Sequence, residues 1–202
     1  TSLLARNFAW VLSGSIFVRL SRIFTTYVLA RQLSIEDYGL IAIIVTVTQF
    51  LNIIANSLTK DKLIQCDKKV LEDYCQASLL LQFTSGFIIF LLQCLIGFYT
   101  GFVISNTTIV FPIALAAFIH LLTPFTSVQL ALLQRNNNFE KYSKISNSSL
   151  VINNLFVAIL CFCGLAFWSI SLAWVISIIF QILFIYNLHI WQPALSLDRK
   201  YW

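Results

Sequence analysis

Two arginines, Arg19 and Arg22, lie inside an apolar run from Phe8 to Leu33, where charge is expensive. With Ser15 and Thr26 they follow helical steps, which puts all four on one face of a helix. Guanidinium is the cation best suited to phosphate, because its planar fork bonds two oxygens at once. The chemistry this face offers is therefore capture of an anion, a phosphate or a pyrophosphate. A second apolar run carries Thr46, Gln49, Asn52 and Asn56 at helical steps, an amide stripe able to line the same hydrated cavity. Arg19, Arg22, Gln49, Asn52 and Asn56 are the candidate substrate-binding residues. In the competing reading, helix carbonyls and the amides of Gln49 and Asn52 satisfy the guanidinium groups and hold a bundle together.

His120 is a candidate proton-sensitive group, since imidazole changes charge near neutral pH. No carboxylate accompanies it, and a packed or hydrogen-bonded histidine is the alternative. All eight acidic residues, Glu36, Asp37, Asp61, Asp67, Glu72, Asp73, Glu140 and Asp198, fall in loops or at the ends of apolar runs. Without an intramembrane acid, export of organic cations and a proton relay both lose their usual residue. No nucleophile with a base and no metal-ligand spacing can be drawn, so neither an enzyme nor a metal or cofactor is expected. Cys66, Cys75, Cys94, Cys161 and Cys163 are scattered and read as small apolar fillers. Gln82, Asn153, Ser177 and Gln181 read as contacts between helices.

The elements that must hold these residues are membrane helices. The chain has 202 residues, 59% hydrophobic and 10% charged, with a mean hydropathy of +0.85. Its apolar runs reach about 20 residues without strict alternation, which indicates helices rather than a barrel. The expected fold is all-α: one polytopic bundle over residues 1–202 with six transmembrane helices at about 8–33, 38–59, 74–99, 109–133, 145–163 and 169–190. The first places Arg19 and Arg22 near the midplane of a hydrocarbon core about 30 Å thick, where each arginine costs about 2.5 to 3.5 kcal/mol. Arg31, near its end, can snorkel to water.

Gln32 to Asp37 reads as a short connection, with Ser34 capping the second helix and Glu36 and Asp37 in its first turn, so the first two spans form a tight hairpin. Lys60 to Asp73 reads as a helix on the membrane surface. Gly86 offers a point of close helix approach and Pro124 a kink. Gln134 to Lys144 reads as a polar loop, and Gly164 to Trp168 as a tight turn. Arg6, the lysines of 60–69, Arg135, Lys141, Lys144, Arg199 and Lys200 lie on one side, which the positive-inside rule makes cytoplasmic, together with both ends. The net charge of +5 needs no nucleic acid to explain it. The sequence begins at Thr1 and contains no methionine, so the natural start is expected upstream.

Four stretches carry a family likeness: LARQLSIEDYGLIAI (Leu29 to Ile43), KLIQ (Lys62 to Gln65), ALLQRNNNFEKYSKI (Ala131 to Ile145) and GLAFWSISLAWV (Gly164 to Val175). On these the chain resembles the polysaccharide flippases of the multidrug/oligosaccharidyl-lipid/polysaccharide exporter superfamily, in particular the Wzx type of bacterial O-antigen and exopolysaccharide pathways. The resemblance implies one lobe of a two-lobe transporter, here the N-terminal one, with a C-terminal lobe as its missing partner. It also implies movement of undecaprenyl-diphosphate-linked oligosaccharide across the bacterial cytoplasmic (inner) membrane for lipopolysaccharide or other surface polysaccharide biosynthesis. The implied partners are that lipid-linked oligosaccharide, membrane lipids and glycan-assembly proteins. Such cavities are often cationic, a chemical role that Arg19 and Arg22 can fill. The alternatives are an exporter of another substrate in the same superfamily and a nontransport scaffold of the glycan-assembly machinery.

Overall fold

The computed structural model describes residues 2–56 and 71–188, with side chains from Trp10 to Ile54 in the first stretch. The expected surface helix falls largely outside the described residues, as do the KLIQ stretch and the end of the sixth expected span. Among the described residues the chain is all-α. Its helices are α1 (Ser2–Gln32), α2 (Ile35–Asn56), α3 (Leu71–Val103), α4 (Val110–Leu122), α5 (Pro124–Arg135), α6 (Phe139–Phe162) and α7 (Trp168–Tyr186), with a short 3₁₀ turn, Thr107–Ile109, before α4.

Four of these, α2, α3, α6 and α7, are long and apolar enough to cross a membrane. The 3₁₀ turn with α4, followed by α5, makes a fifth candidate, bent by 48°. α1, which carries the two arginines, is long enough but does not belong to this set. The described residues therefore supply four spans, or five with the bent pair, where six were expected. Other boundaries also move. α3 runs past both ends of the 74–99 span, and the polar stretch 134–144 is mostly helix. α6 starts at Phe139 because the Asn138 side chain accepts from the backbone N–H of Lys141 at 3.4 Å.

The bend lies where the sequence puts Pro124. Proline has no N–H, so the carbonyl of His120 loses its partner four residues on. Thr123 still closes the last turn of α4, its N–H and Oγ1 both donating to the Ile119 carbonyl at 2.9 and 2.6 Å. The N–H groups of Thr126 and Ser127 then converge on the Thr123 carbonyl at 3.0 and 3.1 Å and start α5.

α3 and α4 pack closely because α3 turns Gly86, Gly97 and Gly101 inward on a buried face that also carries Ile89 and Gln93. A Cβ at Gly86 would stand 2.5 Å from the His120 carbonyl oxygen, and one at Gly97 would stand 2.9 Å from Ile113 Cγ2. Gly86 is thus a close-approach point, as expected. α2 covers α3 and α4, its Ile44 sharing a buried cluster with Ile109, Ile113 and Ala116.

The connection between α1 and α2 is as short as expected. Ser34 Oγ receives the Asp37 N–H at 3.1 Å and donates to Asp37 Oδ2 at 2.7 Å. The tight hairpin does not follow: α1 packs along α6 and not along α2. Among the described residues the two share a buried cluster near their connected ends, where Val28, Leu29 and Ile41 join Val157, Ala158 and Cys161 of α6 and Ile170 and Ala173 of α7. Beyond that cluster they diverge, because the polar groups that could hold α1 are on α6.

Candidate anion site at mid-membrane depth

The seam between α1 and α6 fixes where the arginines stand. Ser143 Oγ donates to the Trp10 carbonyl at 3.1 Å, and Asn154 Nδ2 donates to Ser21 Oγ at 2.8 Å, both at a sequence separation of 133. Between them Gly14 lies against Asn147, with no room for a side chain. A constant offset means that the helices run parallel and in register. It places Arg19 level with Ile152 and Arg22 level with Leu155, near the middle of the apolar helix Phe139–Phe162. This level is near the middle of α6, one of the four helices long and apolar enough to cross a membrane.

Trp10 and Tyr27 bracket this stretch. Lys144 Nζ lies 4.5 Å from the Trp10 ring centre and Arg31 lies 5.2 Å from that of Tyr27. Aromatic rings with a cation alongside suit the two membrane interfaces.

Arg19 and Arg22 are both exposed, and no hydrogen bond or ion pair joins either to another described residue. Their neighbours on the same face are self-satisfied, Ser15 Oγ donating to the Val11 carbonyl at 2.8 Å and Thr26 Oγ1 to the Arg22 carbonyl at 2.9 Å. At about 100° per residue, this face is centred about a quarter turn from the line Gly14, Val18, Ser21 and Thr25 that meets α6. Both helices are right-handed and parallel, so the quarter turn carries the guanidinium groups to the side of the α1 and α6 pair on which α7 lies. α2 enters that same side through Ile41.

On α2, Gln49 is exposed and Asn52 half-buried, flanking the buried line Ile44, Thr48 and Leu51. Arg19 and Gln49 lie the same length along their helices from the Leu33 and Ser34 connection, about 21 Å. Asn52 has a polar partner of its own. The side chain of Asn56 lies outside the described residues. The arginines and the amides are therefore carried by two diverging helices at matching depth, and are not packed on one another.

His120 is 3% exposed. Its Nε2 lies 2.8 Å from Gln93 Oε1, while Gln93 Nε2 donates to Thr48 Oγ1 at 2.9 Å and to the Ile113 carbonyl at 3.1 Å. Because the Gln93 amide nitrogen is spent on those two acceptors, its oxygen faces the ring, and a proton on His120 Nε2 completes the bond. Gln93 thereby ties α2, α3 and α4 together, a role that its place in an apolar run did not reveal. Gln82 and Ser177 also serve as helix contacts: Ser127 Oγ donates to Gln82 Oε1, and Ser149 Oγ to the Ser177 carbonyl at 3.2 Å. Asn154 carried no role in the sequence reading. The only signal for it was the richness of Ser and Asn in the first half of its span.

Among the described residues no group of three His, Cys, Asp or Glu side chains is arranged to hold a metal. Of the cysteines, Cys75 and Cys161 are buried fillers, Cys94 is half-buried and Cys163 is exposed.

Several helices long and apolar enough to cross a membrane define a multi-pass membrane protein. The chain belongs to a family of polysaccharide biosynthesis proteins, which it matches over residues 28–202. No curated protein and no solved structure matches it. The family match starts at Val28, after Arg19 and Arg22, so the role of these two rests on chemistry and geometry alone.

Proposed function

We propose that the chain is part of a flippase that carries undecaprenyl-diphosphate-linked oligosaccharide across the cytoplasmic membrane for surface polysaccharide synthesis. In this reading it is a transporter rather than an enzyme, with its lysine-rich side in the cytoplasm. Arg19 and Arg22 bind the diphosphate, assisted by Gln49, Asn52 and Asn56. α1 is then a sixth crossing, its arginines facing a hydrated cavity and not lipid. The observation that carries the reading is the pair of guanidinium groups at mid-span depth with no partner among the described residues. A charge kept there at such expense supports a ligand path, and membership of a polysaccharide biosynthesis family supports a glycan-bearing ligand.

The test replaces Arg19 and Arg22 singly by glutamine and by lysine in the full protein. A charge-assisted hydrogen bond is worth about 1.5 to 3 kcal/mol, so each glutamine variant is expected to weaken pyrophosphate binding by about tenfold or more and to lower glycan export. Lysine keeps the charge but loses the fork, and should fall between. Normal export at normal protein abundance in the glutamine variants would sink the assignment. A collapse in abundance would identify the arginines as part of the scaffold.

A further inference from the structure

We propose that Asn154 is a positioning residue for the arginine pair, setting the rotation and depth at which α1 presents it; this rests on the arginine site described above. One residue of α6 makes three contacts with α1. Asn154 Nδ2 donates to Ser21 Oγ at 2.8 Å and to the Val18 carbonyl at 3.5 Å, and the Asn154 carbonyl accepts from Thr25 Oγ1 at 2.8 Å. Val18, Ser21 and Thr25 bracket Arg19 and Arg22 in sequence and lie on the adjoining face of the helix.

Apolar packing alone cannot hold such a helix at one angle. Lipid tails are as apolar as the side chains, so a rotation that exchanges one for the other is nearly free. α1 shows this weakness. Ile16, Phe17, Leu20, Ile23, Phe24 and Tyr27 are all exposed around its remaining circumference, and α2 gives it no lengthwise support. Hydrogen bonds at successive turns remove that freedom: the Ser21 hydroxyl keeps its own bond to the Val18 carbonyl at 2.9 Å, but slipping or turning α1 strands the Asn154 amide in an apolar medium. The second link, from Ser143 to the Trp10 carbonyl, fixes height at the lower end. Among the described residues, Asn154 is the one that bonds to α1 at the level of the guanidinium groups.

The experiment uses the full chain in lipid nanodiscs with two readouts: the affinity for inorganic pyrophosphate, and the rate at which a water-soluble anionic thiol reagent modifies Thr26→Cys or Ile23→Cys in a background with the native cysteines replaced. Position 26 shares the face of the arginines, while position 23 lies on the apolar face. Asn154→Val, which deletes both amide donors, is expected to slow modification at 26 relative to 23 by about threefold to tenfold and to weaken pyrophosphate binding by a similar factor. Ser21→Ala removes the acceptor from the other side, is harmless to a helix, and should shift both readouts the same way; it replaces Asn154→Val if that variant does not fold. Unchanged rates and affinity in a folded variant overturn the positioning role. If the native chain binds no pyrophosphate but the rates still shift, Asn154 orients α1 and the anion reading falls instead.

Discussion

Replacing Gly86 with leucine should leave almost no folded protein in the membrane, and even alanine should lower stability by about 1 to 3 kcal/mol, the usual cost of overpacking. The obstacle is backbone. A Cβ at Gly86 meets the His120 carbonyl oxygen at 2.5 Å and its carbon at 3.4 Å, and a carbonyl within a helix cannot swing aside as a side chain can. This is also the carbonyl that Pro124 leaves without its helical partner. Glycine and proline, on different helices, thus answer one another. Pro124→Ala restores an N–H to residue 124 and should draw the carbonyl back into its own helix. Gly86→Ala should accordingly cost less in a Pro124→Ala background than alone. Thermal melting of the purified variants in detergent measures both, with Gly39→Ala as the control. Gly39 has no atom within 4 Å of a built Cβ, so that change should be neutral or slightly stabilising. A Gly86→Ala protein that melts with the native one would mean that α3 and α4 do not approach as described.

Gln93→Leu is the second large effect. The substitution keeps the volume but removes three hydrogen bonds, to Thr48, Ile113 and His120, from a side chain with no solvent exposure. Bonds between membrane helices average about 0.6 kcal/mol each. The larger loss is the stranded His120 Nε2–H, since an unsatisfied buried group costs about 1 to 3 kcal/mol. The expected loss is about 2 to 4 kcal/mol, read as a lower melting temperature and a smaller monodisperse peak. Adding His120→Leu should recover part of it, because removing both partners of a buried bond is milder than removing one. A double variant no more stable than Gln93→Leu alone would show that the histidine was not left wanting.

Much of the architecture was readable from residue order. Runs of apolar residues locate the helices because a bilayer accepts little else, Ser34 announces a cap, and Pro124 a break, since each acts on its immediate neighbours. Arg19 and Arg22 stood out for the same reason: charge in hydrocarbon is costly whatever surrounds it. Their expected depth came from counting along the helix, and the register of α1 on α6 sets them level with the middle of that helix.

What residue order could not reveal was which helices touch. Adjacent spans joined by the short connection Gln32 to Asp37 suggested that α1 and α2 form a tight pair, yet α1 lies along α6, more than a hundred residues away. In water, an apolar stripe finds its partner by leaving solvent; in lipid, every apolar face is already at rest, and the choice passes to a few polar and small residues. Asn154 meeting Ser21 and Thr25, Gln93 meeting Thr48 and His120, and Gly86 receiving a freed carbonyl are the contacts that arrange this bundle. Each depends on two or three distant residues arriving together, so none is visible in one stretch of sequence. Local chemistry told which residues need partners, and the packing of the helices assigned them.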